Sequence, residues 1–209
     1  MLSRARQRKQ LREQRRTLSP ADRQQRTDRL CAQLFRQPLF RNSRRIAVYL
    51  PADGEVETAR IIARAWRLGK HVYLPVLVPF LQNRLWFARY APGTRLVRNR
   101  FGIAEPDVVH RQRVPATALD LVLTPLVGFD DRGNRLGMGG GYYDRSFSFL
   151  QRRTNWLKPR LVGLAYDFQQ LPSLPAQRWD VPLTAVVTDS DWYDFNHRQG
   201  AKVAKYAKN

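Results

Sequence analysis

The densest chemistry in this chain lies in the run Arg135-Leu136-Gly137-Met138-Gly139-Gly140-Gly141, followed by Tyr142-Tyr143-Asp144. Glycines let backbone N–H groups approach an anion closely, and a helix starting beyond them adds partial positive charge. The pattern suits phosphate. It is not a Walker A loop, because no Gly-Lys-Ser/Thr follows. Asp144 falls in the first helical turn, where a carboxylate favours the helix dipole. Beside bound phosphates the same group can hold Mg²⁺. Pattern alone leaves a phosphate loop and a plain glycine-rich turn with a capping acid equally open. Nothing else competes as a reactive centre. The three His are far apart and Cys31 is the only cysteine, so neither a zinc set nor a Cys/His or Ser/His/Asp nucleophile is expected.

The elements around this loop read as alternating strands and helices. Residues 121–127 form an apolar, β-branched run that suits a buried parallel strand, and Asp130, Asp131 and Gly133 turn the chain after it. Residues 3–17 read as an Arg- and Gln-rich helix with few apolar positions. Ser19-Pro20-Ala21-Asp22 then starts a second helix, ending near residue 36, with an N-cap, a Pro at N1 and an acid in the first turn. Residues 45–50 read as a strand, 55–68 as a helix closed by Gly69, and 70–76 as the next strand: a βαβ unit and hence a parallel sheet. Ligands in such sheets bind at the carboxyl ends of strands, which puts Leu50, Asp53 and Glu55 at a site by topology. Further strands are expected at 84–90, 160–165 and 184–188. Residues 91–118, rich in Pro, Gly and Arg, read as a loop with His110 on the surface. The fold expected is a single α/β domain over 1–195, a mostly parallel sheet with helices on both faces. Residues 196–209 form a basic, frayed tail.

The string Phe129-Asp130-x-x-Gly133-Asn134-Arg135-Leu136-Gly137-x-Gly139-x-Gly141-Tyr142-Tyr143-Asp144 closely resembles the signature of the 5-formyltetrahydrofolate cyclo-ligase family, also called 5,10-methenyltetrahydrofolate synthetases. Weaker similarity runs from the N-terminal helix to about Val187. The resemblance implies a three-layer fold and the conversion of 5-formyltetrahydrofolate and ATP, with Mg²⁺, to 5,10-methenyltetrahydrofolate, ADP and phosphate. It implies that a basic pair spaced four apart, here Arg4 and Arg8, meets ATP phosphates. The family usually has Lys at the first place, and Lys9 and Arg12 leave the register open. Arg135 and the segment Gly137, Met138, Gly139, Gly140 and Gly141 would cradle the anion, with Tyr142 and Tyr143 bordering both ligands near the reacting carbon. Asp144 and Asp180 would be the Mg²⁺ carboxylates; without the family Asp180 is a turn residue. Glu55 would accept from the pterin edge, where the residues alone allow a helix cap. Leu50 would join it, and Trp86 would be the aromatic beside folate, although an aromatic in a strand is more often core. Some relatives carry a basic residue at the place of Met138 or Gly140, and its absence shifts the grip to backbone amides, Mg²⁺ and the N-terminal arginines.

Composition bounds the alternatives. The 209 residues suffice for one sizeable core, and 43% hydrophobic residues with five Trp argue against disorder. No apolar run reaches the length of a membrane span, and the Arg-rich N-terminus lacks the apolar core of a secretory signal. A transit peptide is the weaker reading of that segment. A lone cysteine fits a reducing cytoplasm, and Cys31, between Leu30 and Leu34, reads as a buried structural thiol. The net charge of +20 attracts polyanions, whether ATP, polyglutamylated folate or nucleic acid. A dedicated nucleic-acid binder would interleave basic residues with exposed aromatics, whereas here the aromatics fall mostly in apolar patterns. Incidental nucleic-acid binding at low salt is expected, as is a monomer. A nucleic-acid-binding protein and another ATP-dependent ligase or transferase on the same fold are the competing readings.

Overall fold

The computed structural model describes residues 3–78, 83–152 and 158–195. The chain opens with α1 (Arg4–Arg16), α2 (Pro20–Arg36) and the short α3 (Pro38–Asn42). Ser3 and Ser19 cap α1 and α2, their hydroxyls accepting from Arg6 N and Asp22 N, as their side chains and positions require. Then follow β1 (Arg45–Ala47), α4 (Ala59–Arg67), β2 (His71–Leu77) and β3 (Leu85–Tyr90). The hairpin β4 (Leu96–Arg98) and β5 (Ala104–Pro106) leads into β6 (Arg113–Val114) and β7 (Leu121–Pro125). Next come β8 (Gly128–Asp130), β9 (Arg135–Leu136), α5 (Tyr142–Phe147) and β10 (Arg160–Leu164). The last strands are β11 (Gln170–Leu171), β12 (Ala185–Val187) and β13 (Trp192–Asp194).

The main sheet has the order β13-β12-β10-β7-β1-β2-β3-β6. Its five central strands, β12 to β2, are parallel, and antiparallel strands close both edges. The alternation of the strands divides the core. Ile46, Leu121, Leu123, Val162 and Val187 face α2, α3 and α4, where Leu30, Leu34, Phe40 and Ile61 are buried. Ala47, Val122, Leu161 and Val186 face the other way, onto Phe147 of α5 and the single-turn helix at Ala116–Ala118. The architecture is the expected α/β sandwich, although its second helical layer is thin. At Gly163 in β10 a side chain would meet Leu126 Cδ2 at 2.4 Å and Val186 Cγ2 at 3.0 Å. Gly163→Ala is therefore expected to cost about 1–3 kcal/mol by overpacking, read as a lower urea midpoint; an unchanged midpoint would mean that Leu126 yields.

Three expectations need correction. The first strand stops at Ala47 and α4 starts only at Ala59, so Glu55 lies in a turn and not in a helix. The reason is local: Thr58 Oγ1 donates to Tyr49 O at 2.7 Å, and Asp53 and Gly54 both take positive φ, which no helix accommodates. Residues 91–118 are not one loop but hold a hairpin and β6, with Asn99 Oδ1 accepting from Phe101 N at 2.9 Å to close the hairpin tip. The helix after the glycines has six residues before it tightens to a 3₁₀ turn. The tail 196–209 and the side chain of His110 lie outside the described residues.

Candidate active site

The parallel strands run outward from β1 in two directions, to β2 on one side and to β7, β10 and β12 on the other. The carboxyl ends of β1 and β7 therefore part at the switch point where α/β sheets take ligands. A cavity of about 730 Å³ opens there. Every anticipated site residue lines it except Trp86.

One wall is built for anions. The glycine loop reaches α5 through Gly139 at φ +102° and Gly141 at φ +66°, the latter acting as the N-cap. A Cβ on Gly141 would sit 2.7 Å from Arg145 Nη1, which donates to Gly140 O at 2.8 Å, and the left-handed φ itself favours glycine there. Helix α1 lies across this loop: Arg8 Nε donates to Gly137 O at 2.8 Å, and Arg4 Nη2 to Arg135 O at 3.4 Å. Arg4 and Arg8 line the cavity, whereas Lys9 stands in solvent beside Glu13 and Arg12 turns to Asp53. Burial, and then the charges of Arg4 and Arg12, pull the Arg8 pKa below its ordinary value. Crowded cations of this kind gain by receiving phosphate.

The acids of this wall are already engaged. Arg135 is buried, pairs with Asp144 Oδ1 and donates to Val181 O, while Val181 N donates back to the same Asp144 oxygen at 3.0 Å. Burial lowers the Arg135 pKa, and Asp144, Asp180 and Tyr143 oppose that shift. Asp180 accepts from Arg4 at 3.1 Å and from Gln177 N at 3.0 Å. Among the described residues no group of three or more His, Cys, Asp or Glu can hold a metal ion. Two carboxylates at a phosphate wall nevertheless fit Mg²⁺, which takes one or two carboxylates and completes its shell with phosphate oxygens and water.

The opposite wall is largely apolar and aromatic, with Glu55 among its acids. Leu50 and Tyr49 line it, and Tyr49 OH donates to Val56 O at 3.3 Å. Glu55 Oε2 accepts from Ala52 N at 3.1 Å, and Arg15 Nη1 stands 3.9 Å from Oε1. Burial raises the Glu55 pKa, against the pull of Arg15 and the Ala52 amide. Tyr143 is pushed up by burial and the Glu55 charge, with Arg135 opposing, so it stays a protonated hydrogen-bond donor. Trp86 is corrected here: Leu85 and Phe87 belong to the α5 side, and the residue between them faces the other side of the sheet and does not line the cavity. The aromatic at the mouth is instead Phe101, 55% exposed and edge-on to Tyr142 with ring centroids 5.8 Å apart. Arg100 Nη2 donates to Tyr142 OH at 2.7 Å, tying the hairpin tip to the glycine loop. Phe101 and Glu105 belong to the segment 101–106, which by its resemblance to the family reads as a loop over the substrate, and both line the cavity. Sequence reasoning missed Tyr49, Arg84 and Arg145, which line it too.

The model of the 5-formyltetrahydrofolate cyclo-ligase family matches residues 1–189. The 5-formyltetrahydrofolate cyclo-ligase of Escherichia coli (strain K12) is 42% identical over 88% of this chain and 100% of its own. That of Haemophilus influenzae is 47% identical over 68% of this chain and 74% of its own. The solution structure of Aquifex aeolicus 5,10-methenyltetrahydrofolate synthetase superposes with a TM-score of 0.79 at 30% identity, over 98% of both chains. The Mycoplasma pneumoniae 5,10-methenyltetrahydrofolate synthetase gives 0.69 at 25% identity, over 90% of this chain and 99% of that one.

Proposed function

The chain belongs to the 5-formyltetrahydrofolate cyclo-ligase family, and from that premise we propose that its cavity closes 5-formyltetrahydrofolate to 5,10-methenyltetrahydrofolate at the expense of ATP. The observation that carries this reading is one cavity with two unlike walls. Arg4, Arg8, Arg135 and the glycine amides suit a triphosphate, while Leu50, Tyr49, Phe101 and the carboxylate of Glu55 suit a flat heterocycle with an amino edge.

The N5-formyl group is amide-like and a poor electrophile towards N10 of its own molecule. Its oxygen attacks the γ-phosphorus and ADP departs, leaving an iminium phosphate with an activated carbon. N10 adds to that carbon, the C–O bond breaks, and phosphate leaves with the N10 proton. No side chain need act as a nucleophile; placement and charge neutralisation are the protein's share. Arg4 and Arg135 exchange their carboxylates for phosphate oxygens as nucleotide enters, and Arg8 stays anchored on Gly137 O while its remaining N–H groups turn to phosphate. Asp144 and Asp180 are the residues that would hold Mg²⁺, which when bound neutralises charge on the transferring phosphoryl group. Tyr142 and Tyr143 stand between the walls, and Tyr143 donates a hydrogen bond without giving up its proton. Met138, at the mouth, covers the junction of the two ligands. The deciding assay mixes protein, ATP, Mg²⁺ and 5-formyltetrahydrofolate and follows the methenyltetrahydrofolate absorbance band. Folded protein that gives no ATP-dependent band would sink the reading.

Glu55 supplies a pH dependence. A carboxyl whose folded pKa is raised becomes a charged acceptor only above that value. The dissociation constant for 5-formyltetrahydrofolate is expected to rise as pH falls through it, above the ordinary 4.5, and Glu55→Gln should bind more weakly with a flat profile. A wild-type profile retained in Glu55→Gln would move the pterin contact elsewhere.

Exposed Arg84 and Arg145 stand at the mouth of the cavity, and we place the glutamate tail of the folate along them. Arg84→Ala is then expected to raise KM for a polyglutamylated substrate by up to about fivefold, the scale of an exposed ion pair, and to spare the monoglutamate. Equal effects on both substrates would refute that path. Among the described residues no helix is long and apolar enough to cross a membrane. The buried free thiol of Cys31 suits a reducing cytoplasm.

A further inference from the structure

Three arginines of α1 converge on one carboxylate that the reaction does not use. Asp53 Oδ2 accepts from Arg12 Nε at 2.7 Å and Arg15 Nη2 at 3.0 Å, Oδ1 accepts from Arg16 Nε, and Asp53 O accepts from Arg15 Nε at 2.8 Å. The carboxylate sits on a backbone bent to positive φ at Asp53 and Gly54, where a Cβ on Gly54 would lie 3.1 Å from Arg15 O. The turn is thus pressed against the C-terminal half of α1. Burial raises the Asp53 pKa, but hydrogen bonds from Arg12 and Arg16 and the charges of Arg12 and Arg15 outweigh it, so the group stays ionised. Arg15, 1% exposed, is shared, because its Nη1 also stands 3.9 Å from Glu55 Oε1.

We infer that Asp53 is a positioning residue that locks α1 to the turn carrying Glu55 and thereby couples nucleotide binding to folate binding. The inference rests on the assignment of ATP to the α1 wall and of folate to the Glu55 wall. Its physical basis is leverage. The polar anchors at the N-terminal half of α1 are Arg4 on Asp180 and Arg8 on Gly137 O. Arg4 must let go of Asp180 to meet phosphate, so Arg8 on Gly137 O, the Asp53 clamp and the apolar seat of Leu11 against Val127, Leu136 and Leu174 remain to hold the helix. Arg4 lies about 16 Å along the helix from Arg15, so a tilt of about 5° moves it by more than about 1 Å. A misplacement of that size can cost about 100-fold in a phosphoryl-transfer site.

The coupling has a definite sign. In the free protein the Arg15 guanidinium divides its field between Asp53 and Glu55. A folate amino edge that donates to Glu55 neutralises that pull, and Arg15 then closes more firmly on Asp53. A firmer α1 presents Arg4 and Arg8 with less residual motion, so folate strengthens nucleotide binding, and by reciprocity nucleotide strengthens folate binding by the same factor.

The test measures dissociation constants for the non-hydrolysable β,γ-imido analogue of ATP, with Mg²⁺, by calorimetry, with and without saturating 5-formyltetrahydrofolate. Wild type should bind each ligand, and each should tighten the other several-fold. Asp53→Asn keeps the size and tolerates the left-handed backbone. It should bind the analogue about tenfold more weakly and lose the mutual factor while keeping its circular-dichroism spectrum. Arg12→Gln, which removes one of the three guanidiniums at the half-exposed edge, should move both quantities the same way by less. A mutual factor of one in wild type, or a wild-type factor preserved in both variants, overturns the inference. Wild type that binds neither ligand refutes instead the assignment of the walls.

Discussion

Asp144→Asn is expected to lower kcat by about 10²–10³-fold, the scale of removing one group that meets charge developing at a transferring centre. The side chain keeps its shape and can still accept from Val181 N, so the loss isolates charge. Two things fail together: half of the carboxylate pair at the phosphate wall is gone, and Arg135 loses the counter-charge of Asp144. The Mg²⁺ concentration needed for half-maximal rate should rise, and excess Mg²⁺ should recover part of the activity. A stability loss of about 1–3 kcal/mol should accompany it, because a buried guanidinium is left without its counter-charge. The methenyltetrahydrofolate absorbance followed across a Mg²⁺ titration reads the kinetic part, and urea denaturation the rest. Wild-type Mg²⁺ dependence with lowered kcat would leave Asp144 as a partner of Arg135 alone.

Arg135→Met should be as damaging but of another kind. The guanidinium fills the space between Asp144 and Val181 O. A thioether of similar length keeps the packing while removing the cation, so the fold survives better than with Ala. The rate should drop by about 10³-fold, and excess Mg²⁺ should not restore it, because the missing charge is a fixed contact to the transferring phosphoryl group. Arg135→Lys should recover only part, since an ammonium lacks the planar fork that can hold Val181 O and meet phosphate together. Recovery by Mg²⁺ equal to that of Asp144→Asn would make the two residues a single metal-binding unit and remove the separate role of Arg135.

The legibility of this protein followed the range of the forces involved. Apolar runs at 121–127 and 160–165 announced buried parallel strands because a strand enclosed on both faces needs hydrophobic residues throughout. The glycine loop announced itself because positive φ at Gly139 and Gly141 is a local demand. Glu55 was placed at the site by topology, yet its turn was read as helix, because the hydrogen bond from Thr58 to Tyr49 O that withholds residues 48–58 from regular structure leaves no mark in periodicity. Helix α1 was legible as an element, but its contacts were not. A helix with few apolar positions looks solvated, and nothing in its own sequence says that Arg12, Arg15 and Arg16 will close on a carboxylate near residue 53. Two-residue strands such as β9 and β11 are set by partners rather than propensity. Asp180 rested on family resemblance alone, since a single Asp in a turn carries no signal of a partner at residue 4.

That last pair has a bearing on when the protein becomes competent. Arg4 and Asp180 are separated by 176 positions in the chain, and Arg8 and Gly137 by 129, yet both pairs meet at the cavity. Closing so long a stretch is entropically slow compared with pairing β1 and β2, whose residues lie 26 apart. On a ribosome the sheet from β1 to β10 can form while the nucleotide wall still lacks its last acid, and α1 waits with three of its arginines already docked on Asp53. Completion of the nucleotide wall therefore has to wait until residue 180 has been made and brought back to α1.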